Sequence, residues 1–193
     1  MVYIGDSGGS NSPVETSPCI ILLTGVMASG KSTVAQLLAE KFSRGVHLRG
    51  DIFRKMIVRG RENYSPNPTN EAVQQLRLRY EIAVRVADNY FDAGFTVIVQ
   101  DVILGSFLME FINMIENRPL YVVVLAPRAD VVAKREAERN KKGYGKWTIG
   151  DLETSLRTET PKIGLWIDSS TQSPQETVDE ILRRAWTEAK VEL

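Results

Sequence analysis

The octapeptide Gly25-Val26-Met27-Ala28-Ser29-Gly30-Lys31-Ser32 constrains this chain more than any other stretch, because it fits the pattern G-x-x-x-x-G-K-[S/T]. An apolar, β-branched run from Cys19 to Thr24 precedes it, and a helix-forming stretch from Thr33 to Phe42 follows. The motif therefore sits between a strand and a helix, as its chemistry requires. Gly25 and Gly30 allow a tight turn and a close approach to an anion. Successive backbone N–H groups can then form a nest for phosphate oxygens, reinforced by the positive end of the following helix. Lys31 supplies a point charge for β and γ phosphates, and the Ser32 hydroxyl can ligate Mg²⁺. The pattern implies nucleoside triphosphate binding through Gly25, Met27, Ala28, Ser29, Gly30, Lys31, Ser32 and Thr33. A chance glycine-rich turn would lack the strand and helix on either side.

At 193 residues the length suits one domain, and 43% hydrophobic residues can furnish its core. Lys plus Arg and Asp plus Glu each number 24, so the formal net charge is zero. A domain built to bind nucleic acid is normally basic, so nucleic acid is not the expected partner. Cys19 is the one cysteine and reads as an inert core residue, which excludes an internal disulfide. No stretch reaches the length of a membrane span, and the first eighteen residues lack a basic start followed by an apolar run. A cytoplasmic protein is the expectation. Residues 1–18, rich in Gly, Ser, Pro and Asn, read as a flexible leader to a domain over 19–193.

Along that domain strands and helices alternate. Strands are expected at Ile20–Thr24, Val46–Arg49, Phe95–Gln100, Leu120–Leu125 and Ile163–Ile167. Helices are expected at Lys31–Phe42, Ile52–Val58, Glu71–Ala93, Ser106–Glu116, Asp130–Lys141, Ile149–Arg157 and Glu176–Ala189. Thr69 or Asn70 is placed to cap the long third helix, and Gly94 to close it. The alternation implies an α/β fold, a five-stranded parallel sheet between helical layers, with ligands at the carboxyl ends of the strands. Asp51 and Asp101 close the second and third strands, on that ligand side. Asp51 is expected to end the strand beside the phosphate-loop strand; its alternative role is a helix cap.

The phosphate loop together with Gly50-Asp51-Ile52-Phe53-Arg54 resembles the P-loop kinase group that includes adenylate, adenylylsulfate, gluconate and chloramphenicol kinases and zeta-type toxins. His47-Leu48-Arg49-Gly50-Asp51 and Thr160-Pro161-Lys162-Ile163-Gly164-Leu165-Trp166 are similar to bacterial phosphotransferase-like proteins of that group. The resemblance implies a three-layer P-loop kinase fold with a small lid over about 135–157. It implies ATP and Mg²⁺ as cofactors and a small-molecule acceptor. In adenylate kinases the arginine matching Arg54 holds an acceptor phosphate; in the chloramphenicol kinase type the aspartate matching Asp51 is the base for an acceptor hydroxyl. Asp101 resembles the acidic residue that holds Mg²⁺ through water, or else orients the acceptor. Arg135 and Arg139, four apart near the lid, resemble arginines that contact the phosphates; solvated helix pairing is the alternative.

Departures from the group narrow the reading. Gln100-Asp101-Val102-Ile103-Leu104-Gly105 stands where adenylate kinases carry D-G-F-P-R, which argues against a second nucleotide as acceptor. Arg54 and Lys55 stand where gluconate kinases carry a histidine. The acceptor pocket is expected from Arg54, from the helix around Met56 and Ile57, and from the helix after Pro68, where Arg77, Arg79 and Arg85 either meet an anion or form a solvated face. The aromatics Tyr144 and Trp147 look exposed, in a loop with hinge-like glycines that either closes over substrate or is a surface loop tucked by its own aromatics. His47, the only histidine, reads as structural. The reading is an ATP- and Mg²⁺-dependent phosphotransferase acting on a hydroxyl of a small molecule, with Lys31, Asp51, Arg135 and Arg139 catalytic, Asp51, Arg54 and Asp101 at the acceptor, and Ser32 and Asp101 at the metal. The alternatives are a kinase for a phosphorylated or 5′-hydroxyl polynucleotide acceptor, and a regulatory module with slow NTPase activity.

Overall fold

The computed structural model describes residue 14, residues 16–138 and residues 144–192. Five strands, β1 (Ile20–Gly25), β2 (Gly45–Arg49), β3 (Thr96–Gln100), β4 (Leu120–Leu125) and β5 (Leu165–Ile167), form one all-parallel sheet in the order β2-β3-β1-β4-β5. The helices are α1 (Lys31–Ala39), α2 (Asp51–Met56), α3 (Asn70–Asp92), α4 (Phe107–Met114), α5 (Ala129–Ala137), α6 (Ile149–Thr154) and α7 (Pro174–Glu188). Residues that pair in β1 and β4 are buried throughout, as continuous apolar strands covered on both faces must be.

The side-chain alternation of β1 divides the core in two. Ile20 and Leu22 pack with Tyr80, Ala83 and Val84 of α3 and Leu108 and Phe111 of α4. Ile21 and Leu23 pack on the other face with Val34 and Leu38 of α1 and Val178 and Ile181 of α7. Helix α3 starts as its sequence suggests, with the Thr69 hydroxyl accepting from the Ala72 N–H at 3.0 Å. Gly94 ends it in a left-handed conformation, φ 86°. Val14, within the expected leader, donates its N–H to the Lys41 carbonyl, while residues 1–13 and 15 lie outside the described residues.

Three expectations change. The second strand does not lie beside β1: β3 is inserted between them, so Asp101, not Asp51, ends the strand next to the phosphate loop. The helix expected at Ile149–Arg157 is α6 followed by a π-helical turn, Ser155–Glu159. There Thr160 directs both its N–H and its hydroxyl to the Ser155 carbonyl, at 3.0 and 2.8 Å, and its hydroxyl oxygen also accepts from the Gly105 N–H. That long-range tie widens the last turn and seats it over the loop after β3. The final strand is shorter than expected, because Gly164 adopts φ 74° with its Cα against the Val122 carbonyl, a contact that leaves no room for a side chain.

Candidate active site

The carboxyl ends of β1, β2 and β3 open into one cleft of about 1840 Å³. The phosphate loop forms its inner end. Gly25 (φ 144°) and Gly30 (φ 95°) take conformations that L side chains avoid, and Ala28 joins them at φ 61°. A Cβ on Gly25 would lie 2.4 Å from the Leu125 carbonyl oxygen, so β4 also demands glycine there. Lys31 is buried at the start of α1, its Nζ folded over the loop and donating to the Val26 carbonyl at 2.6 Å. Ser32 is exposed to the cleft and donates to Gln100 Oε1 at 3.2 Å. Met27, Ser29 and Thr33 occupy the same loop and first helical turn.

Beside this loop stands Asp101. Its Oδ1 accepts from the Val102 N–H at 2.7 Å and from Arg79 Nη2 at 3.2 Å. Arg79 Nε approaches Oδ2 to 3.1 Å without hydrogen-bond alignment, so that buried oxygen has no hydrogen-bond partner. Burial pushes the Asp101 carboxyl above the usual carboxylate range, while Arg79 and the Val102 N–H hold it back. The loop carrying it is tied to β1 by a reciprocal pair: Thr24 Oγ1 donates to the Ile103 carbonyl at 2.8 Å and accepts from its N–H at 2.9 Å. Gly50 lies directly against this carboxylate. A Cβ there would sit 2.2 Å from Asp101 Oδ2, although the φ of −61° suits any residue. The glycine of the G-D pair is thus needed for space.

Asp51 opens α2 as its first residue and does not cap it; the N-cap is Gly50, and no side chain caps that end. The Asp51 carboxylate is engaged by Lys55 and lies 3.8 Å from Arg49 Nε. Burial pushes its pKa up, but Lys55, Arg49 and Arg79 outweigh that and hold it below the usual carboxylate range. Arg54, half-buried, donates to Asn63 Oδ1.

Helix α5 brings Arg135 to the phosphate loop, where Nη1 donates to the Ser29 carbonyl at 3.4 Å and Nη2 to the Ser169 carbonyl at 2.9 Å. The guanidinium thus bridges that loop and the segment after β5. Arg139 lies outside the described residues, as does the end of the helix expected to reach Lys141. Tyr144 is buried, contrary to expectation, and its hydroxyl donates to the Met27 carbonyl at 3.0 Å. Trp147 stacks on Tyr64 at 5.9 Å and donates Nε1–H to the Tyr64 carbonyl. Tyr64 in turn meets Phe107 edge-on at 5.7 Å, making an aromatic wall on the acceptor side.

The rest of that wall differs from expectation. Met56 is 65% exposed and, like Ile57, is not part of the cleft lining; Arg54 and, from the helix after Pro68, Leu76 and Arg79 do line it, joined by Arg61 and Asn63, which were not expected there. The three arginines of α3 part company: Arg77 pairs with Glu110, Arg85 is exposed, and Arg79 alone turns inward. Gln100 and Arg61 had no sequence signal; only their placement singles them out. His47 Nδ1 lies 2.9 Å from Gln36 Oε1, and burial lowers its pKa, in keeping with a structural histidine.

Among the described residues no group of three or more His, Cys, Asp or Glu side chains is arranged to hold a metal ion. The Ser32 hydroxyl and the orphaned Asp101 Oδ2 nevertheless suit Mg²⁺, which keeps several waters and takes few protein ligands. No helix among the described residues is long and apolar enough to cross a membrane.

A family model described as an AAA domain matches residues 20–155. No curated protein matches the sequence. Solved structures with the same fold include a sugar kinase from Janibacter sp. HTCC2649 (17% identity, 86% of this chain and 93% of that one, TM-score 0.62). An adenylylsulfate (APS) kinase from Mycobacterium tuberculosis, in complex with AMPPNP and APS, is similar at 18% identity over 88% and 98% of the chains, TM-score 0.63. A gluconokinase from Sinorhizobium meliloti 1021 is 18% identical over 89% and 96%, TM-score 0.58. With a parallel sheet ordered around the phosphate loop, and with that loop, Asp101 and Gly50-Asp51 inside the matched span, the chain belongs to the AAA-domain family and has the P-loop small-molecule kinase fold.

Proposed function

We propose that the protein transfers the γ-phosphoryl group of ATP to a hydroxyl of a small molecule, with Mg²⁺ bound alongside the nucleotide. The observation that carries this reading is a shared cleft: Lys31 and Ser32 of the phosphate loop face the same space as Asp51, Asp101 and a separate aromatic and basic wall large enough for a second substrate. A nucleotide-binding module without an acceptor has no use for that wall. The sugar kinase, gluconokinase and APS kinase among the structural relatives support the same class of reaction.

In this reading the phosphate loop and Lys31 bind the β and γ phosphates. Ser32 and Asp101 would hold Mg²⁺, which when bound would supply charge neutralisation at those phosphates. Asp51 aligns the acceptor hydroxyl; the hydroxyl oxygen forms a bond to the γ phosphorus as the bond to the ADP oxygen breaks, and the hydroxyl proton passes to Asp51 and then to solvent. A carboxylate with a lowered pKa accepts that proton late, which suits a loose transition state. Arg135, and Arg139 after it, offset charge on the transferring group from a lid over about 135–157, carried on a catalytic domain of residues 19–193. The setting is cytoplasmic. Most of the acceleration comes from positioning and electrostatics.

The test is a screen of small alcohols with ATP and Mg²⁺, following ADP release and the mass of phosphorylated products. Acceptor-dependent ADP release with a matching phosphate monoester is the expected result. Slow ATP hydrolysis that no acceptor accelerates would replace the proposal with a regulatory module. Phosphorylation confined to 5′-hydroxyl oligonucleotides, steeply weakened by salt, would replace it with a polynucleotide kinase.

A further inference from the structure

Gln100 closes β3, with Leu23 of β1 in register on one side and Arg49 of β2 on the other. Its side chain is buried at the floor of the cleft. Side chains alternate along a strand, so Gln100 and Ile98 share one face of the sheet, where Ile98 packs with Val34 of α1. His47 is in register with Ile98 and therefore stands diagonal to Gln100 on that face. Helix α1 lies over the pair and presents Ser32 and Gln36, one turn apart. Two hydrogen bonds join helix and sheet: the Ser32 hydroxyl donates to Gln100 Oε1 at 3.2 Å, and His47 Nδ1 meets Gln36 Oε1 at 2.9 Å.

The direction of these bonds follows from the groups behind them. The Glu40 carboxylate can only accept, and it takes Gln36 Nε2–H at 2.8 Å. That turns Gln36 Oε1 to the histidine, so His47 Nδ1 carries the proton. Burial lowers the His47 pKa and favours the neutral ring. Its Nε2 is then a bare acceptor, buried and without a partner within hydrogen-bond distance. The Gln100 side chain lies near enough to raise the His47 pKa against that burial. A bare ring nitrogen attracts the NH₂ end of the amide and repels its oxygen, which is left for Ser32.

A serine hydroxyl has one proton and two lone pairs. In a helix it commonly donates to the carbonyl four residues back, here that of Ala28 in the phosphate loop. Gln100 draws the proton toward the sheet instead, while Ser32 stays exposed to the cleft. The lone pairs that a cation needs are then unspent.

We propose that Gln100 is a positioning residue for phosphoryl transfer: by taking the Ser32 proton, its amide oxygen holds the Ser32 oxygen as a ready ligand for Mg²⁺. The proposal rests on the ATP- and Mg²⁺-dependent reading above and adds to it a residue that acts only through Ser32.

The test is calorimetry of AMPPNP binding to the full chain, once with Mg²⁺ and once with EDTA. The ratio of the two affinities is the Mg²⁺ enhancement. Gln100→Met keeps the length of the side chain and removes the acceptor. It should cut the enhancement roughly 10–100-fold, as loss of a partner behind a metal ligand does, and leave binding in EDTA unchanged. Gln100→Glu returns an oxygen at the same reach and should return the enhancement. Ser32→Ala should cost a similar factor, and Ser32→Ala with Gln100→Met no more than either alone, because the two side chains act as one unit. A bond that only ties β3 to α1 would lower the melting temperature of Gln100→Met with the enhancement intact, and that result would overturn the proposal. So would additive losses in the double variant, or a parent protein whose binding ignores Mg²⁺. An enhancement lost in Gln100→Met, with no acceptor phosphorylated by the parent, would leave the positioning role standing and overturn the transferase reading instead.

Discussion

Replacing Arg79 by methionine tests the most enclosed charge pair in the cleft. The substitution keeps much of the aliphatic stem and removes the guanidinium. Arg79 and Asp101 side chains are 12% and 5% exposed, with contacts at 3.1 and 3.2 Å. After Arg79→Met, Asp101 keeps only the Val102 N–H at 2.7 Å as a hydrogen-bond partner, at a nearly buried position on the cleft floor. Breaking a buried pair from one side costs about 3–5 kcal/mol. At about 2–4 °C per kcal/mol for a chain of this size, the melting temperature should fall by roughly 6–20 °C. Urea unfolding should show the loss as a lower midpoint at unchanged slope. The pH dependence carries the sign. Burial already raises the folded-state pKa of Asp101, and loss of Arg79 raises it further. A raised acid pKa means the folded state binds the proton more tightly than the unfolded one. The variant should therefore lie closest to the parent at low pH and lose ground as pH rises through the folded-state pKa. Adding Asp101→Asn to Arg79→Met removes the stranded charge and should recover part of the loss at neutral pH. A loss under about 1 kcal/mol, or a double variant no more stable than the single one with no narrowing at low pH, would refute the account.

Three further outcomes follow from the same geometry. Gly50→Ala places a methyl group 2.2 Å from Asp101 Oδ2 on a backbone that tolerates alanine, so a loss of about 1–3 kcal/mol in urea unfolding measures the collision alone; parent-like stability would show that the carboxylate yields freely. Asp51→Asn should lower kcat by roughly 10²–10⁴-fold with the acceptor found by screening while ATP affinity holds, and near-full activity in a folded protein would remove Asp51 from proton transfer. Arg135→Ala should reduce kcat by on the order of 10³-fold, far more than it weakens ATP binding; unchanged kcat would leave Arg135 as a brace between the Ser29 and Ser169 carbonyls.

Local chemistry in the sequence determined the phosphate loop, the alternation of strands and helices, and the Thr69 cap. Each depends on residues within a few positions of one another: glycines that permit positive φ, apolar runs that demand a buried strand, a hydroxyl three residues before the N–H it receives. Strand order does not work that way. Inserting β3 between β1 and β2 pairs residues some 77 positions apart, Ile20 with Val97, and nothing in either run names its neighbour; this insertion made Asp101, not Asp51, the carboxylate beside the phosphate loop. The same holds for side chains whose surroundings come from elsewhere. Arg77, Arg79 and Arg85 look alike on one helix, and only the position of Asp101 draws Arg79 inward. Tyr144 reads as an exposed loop aromatic until the Met27 carbonyl, 117 residues away, accepts its hydroxyl. Periodicity and turn chemistry are local signals, whereas burial, ion pairing and the shape of a cleft are set by contacts whose loop-closure cost only the packed fold repays.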